Sequence, residues 1–159
     1  MTGIEELTEK SNLNYPPSSQ FIIEKMWLRI EPDFERKRIT GEEQLKLLAR
    51  QNINDVELDI GEGVEIKSIL FSTGADASTK YDRKELTHNT VNEKLIIHLG
   101  NTIKEGTRFS IVIDYIAQGS VPGKGIHFVN ESTDFPAHAW TQSESIYARN
   151  WFPCLDHPQ

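Results

Sequence analysis

The chain has 159 residues, 37% of them hydrophobic, which suits one globular domain built on one core. With 24 acidic against 17 basic residues the formal charge is −7, which disfavours DNA, RNA and anionic membranes, so neither nucleic acid nor membrane is expected as a partner. The single cysteine, Cys154, rules out an internal disulfide framework. There is no signal-peptide core or membrane-length apolar run, so a cytoplasmic location is expected.

Residues 1–20 are polar and close on "YPPSSQ", where two prolines lack backbone donors; a flexible N-terminal arm is expected there, with one β domain over 21–159. In "IIEKMWLRIEP" the apolar side chains fall on Ile22, Met26, Leu28 and Ile30, and Lys25, Arg29 and Glu31 take the other parity. That is the period-two pattern of a half-buried strand. Ile39, Leu45, Leu47 and Ala49 repeat it against Thr40, Glu42, Gln44, Lys46 and Arg50, which predicts an antiparallel partner across "PDFERK". Further strands are expected at 56–60, at 64–72, weakly at 80–86, at 94–99 and at 108–118. In the last, Phe109, Ile111, Ile113, Tyr115 and Ala117 share one face, with Arg108, Ser110 and Asp114 on the other. The stretches between them, "STGAD", "GNTIKEG" and "GSVPGKG", are rich in turn formers. No segment before Ser143 has a helical period. The expected fold is therefore all-β and mainly antiparallel, a sandwich or curved sheet, with a short helical segment near the C-terminus.

Chemistry-bearing residues are sparse until the end of the chain. None of the five histidines (His88, His98, His127, His138, His157) has another His or a Cys at metal-ligand spacing, and no Gly-rich phosphate loop occurs. His98, at the outward parity of its strand, and His88, in a polar turn-like region, read as solvated surface side chains. "AWTQSESIYARNWFPCLDHPQ" is different, because unusual residues are concentrated in it. Glu144 lies among Trp140, Ile146 and Tyr147, where a partly buried carboxylate would need a charged partner, and Arg149 is near enough in sequence to be that partner. Trp151, Phe152 and Pro153 read as core-capping residues, and Cys154 as a small buried neutral thiol.

"HFVNESTDFPAHAWTQSESIYARNWFPCLDHPQ" resembles the end of the N-terminal domain in the aminopeptidase N-like (gluzincin) family of zinc peptidases. That family includes the leukotriene epoxide hydrolase and a noncatalytic relative in a general transcription factor. Its pattern there is Gln-x-Glu/Gln, then Ala-Arg, then an aromatic-Pro-Cys-x-Asp-x-Pro ending. This chain supplies Gln142-Ser143-Glu144, Ala148-Arg149 and Trp151 to Pro158. Upstream, "YIAQGSVPGKGIHFV" and the strand-rich pattern from Phe21 onward are similar to the family's saddle-shaped N-terminal domain.

The resemblance implies that Glu144 and Gln142 bind the free α-amino group of a peptide substrate, and that Arg149, Pro153, Asp156 and Pro158 frame the turn. It also implies a cis peptide bond after Glu144, although Ser145 stands where the family usually has Ala. The zinc ligands, the general-base Glu and the Gly-x-Met-Glu-Asn loop belong to the family's next domain. The resemblance thus implies a parent zinc aminopeptidase, with Zn2+ held outside these 159 residues, the missing catalytic domain as a partner, and a chain inactive alone. Two alternatives compete: a scaffold module that keeps the fold without catalysis, and a free-standing adhesion or carbohydrate module, which leaves the Arg149 to Pro158 match unexplained. Unpaired sheet edges would also give edge-strand self-association of the chain.

Overall fold

The computed structural model describes residues 20–72, 84–119 and 122–157. The arm expected over 1–20 lies, except for Gln20, outside the described residues, as do 80–83 of the weak strand expected at 80–86. Among the described residues ten strands follow one another: β1 (Phe21–Asp33), β2 (Arg38–Ala49), β3 (Ile53–Asp59), β4 (Val64–Ser72), β5 (Lys84–Glu85), β6 (Thr87–Val91), β7 (Lys94–Ile103), β8 (Arg108–Gln118), β9 (Gly125–Val129) and β10 (His138–Gln142). They form a five-stranded sheet of order β1-β2-β8-β4-β5, a three-stranded sheet of order β3-β7-β6 and a β9–β10 ribbon. Every pairing between these strands is antiparallel, and the described helical content is one 3-10 turn, Ala148–Asn150. This is the all-β, antiparallel fold that the period-two patterns predict.

The β1–β2 hairpin closes across residues 34–37, with Asp33 opposite Arg38. The odd residues of β2 and β8 (Ile39, Leu45, Leu47, Phe109, Ile111, Ile113 and Tyr115) form a continuous core with Val56 and Leu58 of β3 and Leu95 and Ile97 of β7. The large sheet and the three-stranded sheet thus bury their apolar faces against each other, and alternation of side chains fixes which residues take part. Phe152 and Cys154 close one side of that core, tied to β3 by the reciprocal backbone bonds of Asp59 and Cys154.

Three carboxylates are buried among the described residues, Glu43, Asp59 and Asp156, and Glu43 differs from the other two. Glu43 occupies the inward parity of β2, is fully buried, and neither of its oxygens has a hydrogen-bond partner. Loss of hydration pushes its carboxyl from 4.5 up to about 8, so it is mostly neutral at pH 7. Tyr115, opposite Gly41 in the β2–β8 register, is also fully buried with its hydroxyl unpartnered. A Cβ on Gly41 would overlap the Tyr115 ring, so this position requires glycine for space. Burial, followed by the nearby Glu43 and Cys154, raises the Tyr115 hydroxyl above its usual range.

Several local expectations are corrected. A bulge between Ile23 and Lys25 reverses the parity of β1, so Ile22 does not share a face with Met26, Leu28 and Ile30, and most of the strand is exposed instead of half-buried. Ser110 and Val112 on the second face of β8 are buried as well. β7 runs on through "GNTI", which reads as a turn in sequence. His88 lies on an exposed strand, β6, and not in a turn-like region. β6, β9 and β10 have no strong alternation and form because neighbouring strands offer them unpaired backbone groups.

Candidate functional site

The β9–β10 ribbon carries the candidate residues. In its register Gln142 is opposite Gly125, Trp140 opposite His127 and Ala139 opposite Phe128. Ala139 and Phe128 pack on the core. Alternation then puts Trp140 and Gln142 together on the other face. There the His127 and Trp140 rings stack, centroids 4.1 Å apart and 19° from parallel, with Trp140 still 48% exposed. Gln142 Nε2 donates to the Glu144 carbonyl at 3.3 Å, folding the chain back directly after the strand. The Glu144–Ser145 peptide bond is cis.

The segment after Glu144 is held at several points. Tyr147 N–H donates to the Ser143 carbonyl at 3.0 Å, and Trp151 Nε1 donates to Ser143 Oγ at 3.1 Å, so Ser143 anchors both the turn and an indole. The 3-10 turn sits where two glycines allow close approach. A Cβ on Gly61 would meet Asn150 Oδ1 at 2.5 Å, and one on Gly125, whose φ is +69°, would meet the Asn150 side chain at 2.7 Å. Gly61 N–H also donates to the Arg149 carbonyl at 2.7 Å.

Arg149 is the hub of this turn. Its Nε and backbone N–H both donate to Asp156 Oδ2 at 3.1 Å, and its Nη2 donates to the Asp156 carbonyl at 3.2 Å. Nη1 lies 3.7 Å from Asp59 Oδ1 and 3.9 Å from Glu93. Asp59 is buried on β3, pairs with Lys94 at 2.8 Å, and accepts from the Asp156 N–H at 2.9 Å. Burial pulls the Asp59 carboxyl upward, but Lys94, the Asp156 amide and Arg149 outweigh it and hold the group below its ordinary range. Arg149 therefore does not pair with Glu144. Glu144 is exposed, not partly buried as the aromatic context suggests, and has no ion pair among the described residues.

Of the other residues in the terminal pattern, Pro153 is buried and Pro158 lies outside the described residues. Cys154 is buried, and desolvation, followed by the nearby carboxylates of Asp156, Glu43 and Asp59, pushes its thiol well above the usual range. No group of three or more His, Cys, Asp or Glu side chains converges as a metal requires among the described residues. His98 lies between Asp55 at 2.7 Å and Asn89 at 2.8 Å. The described residues do not fit zinc. Asp59, Lys94 and His127 are the site residues that sequence spacing does not mark, because each meets its partners only through sheet pairing.

The fold and site together define an antiparallel β domain that presents a Gln-x-Glu corner beside an aromatic pair. The family model of the peptidase M1 N-terminal domain matches residues 13–159, and the chain belongs to that family. It is 31% identical over 133 residues to "Probable aminopeptidase 1" of Sulfurisphaera tokodaii, a match covering 79% of this chain and 14% of the relative. Its fold is similar to that of an M1 zinc metallopeptidase from Deinococcus radiodurans (TM-score 0.66, 17% identity). It is also similar to a variant of that enzyme bound to a Tyr-Ser-Ala substrate (TM-score 0.65, 19% identity). Each of these structural matches covers 87% of this chain and 30% of the other. The chain thus spans well under a third of the curated relative it matches. No helix of the described residues is long and apolar enough to cross a membrane.

Proposed function

We propose that this chain is the part of a zinc-dependent aminopeptidase that anchors the free α-amino group of a peptide, with Glu144 as the charge partner and Gln142 beside it. The observation that carries this reading is the division of charges at the C-terminal turn. Arg149 is consumed by Asp156 and Asp59, which leaves Glu144 exposed with no ion pair among the described residues. A carboxylate so placed can accept from an ammonium and discriminates it from an acylated terminus, which lacks both the charge and two of the donors. Gln142, whose amide donates to the Glu144 backbone, orients the corner. Membership in the M1 N-terminal domain family and the named activity of the Sulfurisphaera relative support the same role.

The hydrolytic chemistry belongs to residues outside this chain. Zinc, when bound there, polarises the scissile carbonyl and activates a water. The parent protein is read as a cytoplasmic enzyme, a location supported by a lone cysteine that is buried and unpaired. Its partners are the peptide N-terminus and its own catalytic domain. The 159-residue chain alone is expected to be inactive. An aminoacyl-amide assay with added zinc tests this, and turnover above that of a Glu144→Ala control would overturn it. In the reading frame that continues past Gln159, His-Glu-x-x-His followed by a distal Glu supports the enzyme. A frame without it points to the noncatalytic scaffold.

A further inference from the structure

β1 begins the order of the large sheet, and no described strand pairs with its other edge. It is 13 residues long, and its central residues are unusually apolar for an open edge. Met26 is 47%, Trp27 50% and Ile30 43% exposed. Met26, Leu28 and Ile30 lie opposite Leu45, Glu43 and Gly41 of β2, so they take the parity that buries a core further along the same sheet. Lys25, Trp27, Arg29 and Glu31 take the other parity. An edge of this length and composition is a template for another strand.

We propose that the occupant is a second copy of this chain, with β1 paired antiparallel to β1 about a two-fold axis through Leu28. The charge pattern selects this partner and register. With Leu28 opposite Leu28 of the second copy, Met26 faces Ile30 and Trp27 faces Arg29, while Lys25 faces Glu31, each pair occurring twice. Every charged side chain from Lys25 to Glu31 then meets an opposite charge or an aromatic ring. A perpendicular two-fold axis must keep side chains of like parity opposite, so the neighbouring registers centre on Trp27 or Arg29. The first sets Lys25 against Arg29, and the second sets Arg29 against its own copy. Centring on Ile30 shortens the overlap and brings Pro32, which has no N–H, opposite Leu28. The axis is isologous, so it closes at a dimer whose two large sheets join as one.

Two independent measurements on the 159-residue chain test this. In sedimentation equilibrium the wild type should show a monomer–dimer equilibrium. Lys25→Glu, which sets Glu against Glu31 twice, should weaken the dimer about tenfold or more, and Lys25→Glu combined with Glu31→Lys should restore it. In mild oxidation Leu28→Cys should form a covalent dimer, and Trp27→Cys should not, since position 27 faces 29. The buried Cys154 leaves the wild type as the uncrosslinked control. A chain that stays monomeric at high concentration, with this edge left to a different occupant, overturns the proposal. So does a double charge swap that fails to recover the loss, or cross-linking that is equal at the two positions.

Discussion

Glu43→Gln should stabilise the chain, and more so as pH rises. The wild-type carboxyl is buried without a hydrogen-bond partner, and loss of hydration moves it from 4.5 to about 8. Its folded value is above its unfolded one, so the native state holds the proton more tightly. The stability linked to that proton is fully present below the unfolded value of 4.5 and is lost progressively as pH rises through about 8. At about 1.4 kcal/mol per pH unit, the loss is about 3 kcal/mol at pH 7 and about 5 kcal/mol above pH 8. Glutamine keeps the shape and stays neutral, so it retains the cost of a buried unpaired polar group but sheds the titration. Urea unfolding at about pH 5, 7 and 8.5 should show the two proteins nearly equal at the lowest pH and diverging upward. At pH 7 the variant should melt about 6–12 °C higher. Two parallel pH profiles, or a Gln variant less stable than the wild type at pH 7, would refute the burial reasoning.

Gly41→Ala forces a methyl into the Tyr115 ring and should cost about 2–3 kcal/mol in chemical denaturation, whereas Gly106→Ala, with open space around it, should lose stability only through its positive φ. Asp59→Asn removes the shared partner of Lys94 and Arg149 and should cost about 3 kcal/mol at neutral pH. Because the folded Asp59 carboxyl is held below its unfolded value of 3.8, its contribution is present above that value and lost as pH falls through the lower one. The Asn variant should therefore converge on the wild type in acid unfolding.

The sheet-forming core was legible wherever alternation was strong. β2 shows inward residues at every second position and its burial follows that pattern closely, whereas β8 has the same inward residues but also buries Ser110 and Val112 of its second face. The same pattern conceals Glu43, because a carboxylate at an inward parity looks like any solvated one until the facing sheet is in place. β1 alternates just as clearly, yet most of its residues are exposed, and the bulge at Ile23/Lys25 shifts its faces. The Gln142–Glu144 corner was legible through its resemblance to a family pattern. What spacing could not show was the ion-pair network. Arg149 lies five residues from Glu144, but it is claimed by Asp59, which is 90 residues away along the chain and reaches it only because β3 bridges to Cys154.

Glu144 is proposed to hold the substrate amine. The direct measurement is kcat/KM for an aminoacyl-amide in the complete reading frame that carries this chain, comparing wild type, Glu144→Ala and Glu144→Gln. Removing a charged partner of a desolvated ammonium costs about 2–5 kcal/mol, so Ala should reduce kcat/KM by about thirtyfold or more, with Gln recovering only part of the loss. Neither variant should alter the melting temperature, because Glu144 is exposed and has no ion pair among the described residues. An Ala variant that retains wild-type kcat/KM would contradict the assignment of Glu144 as the amine anchor.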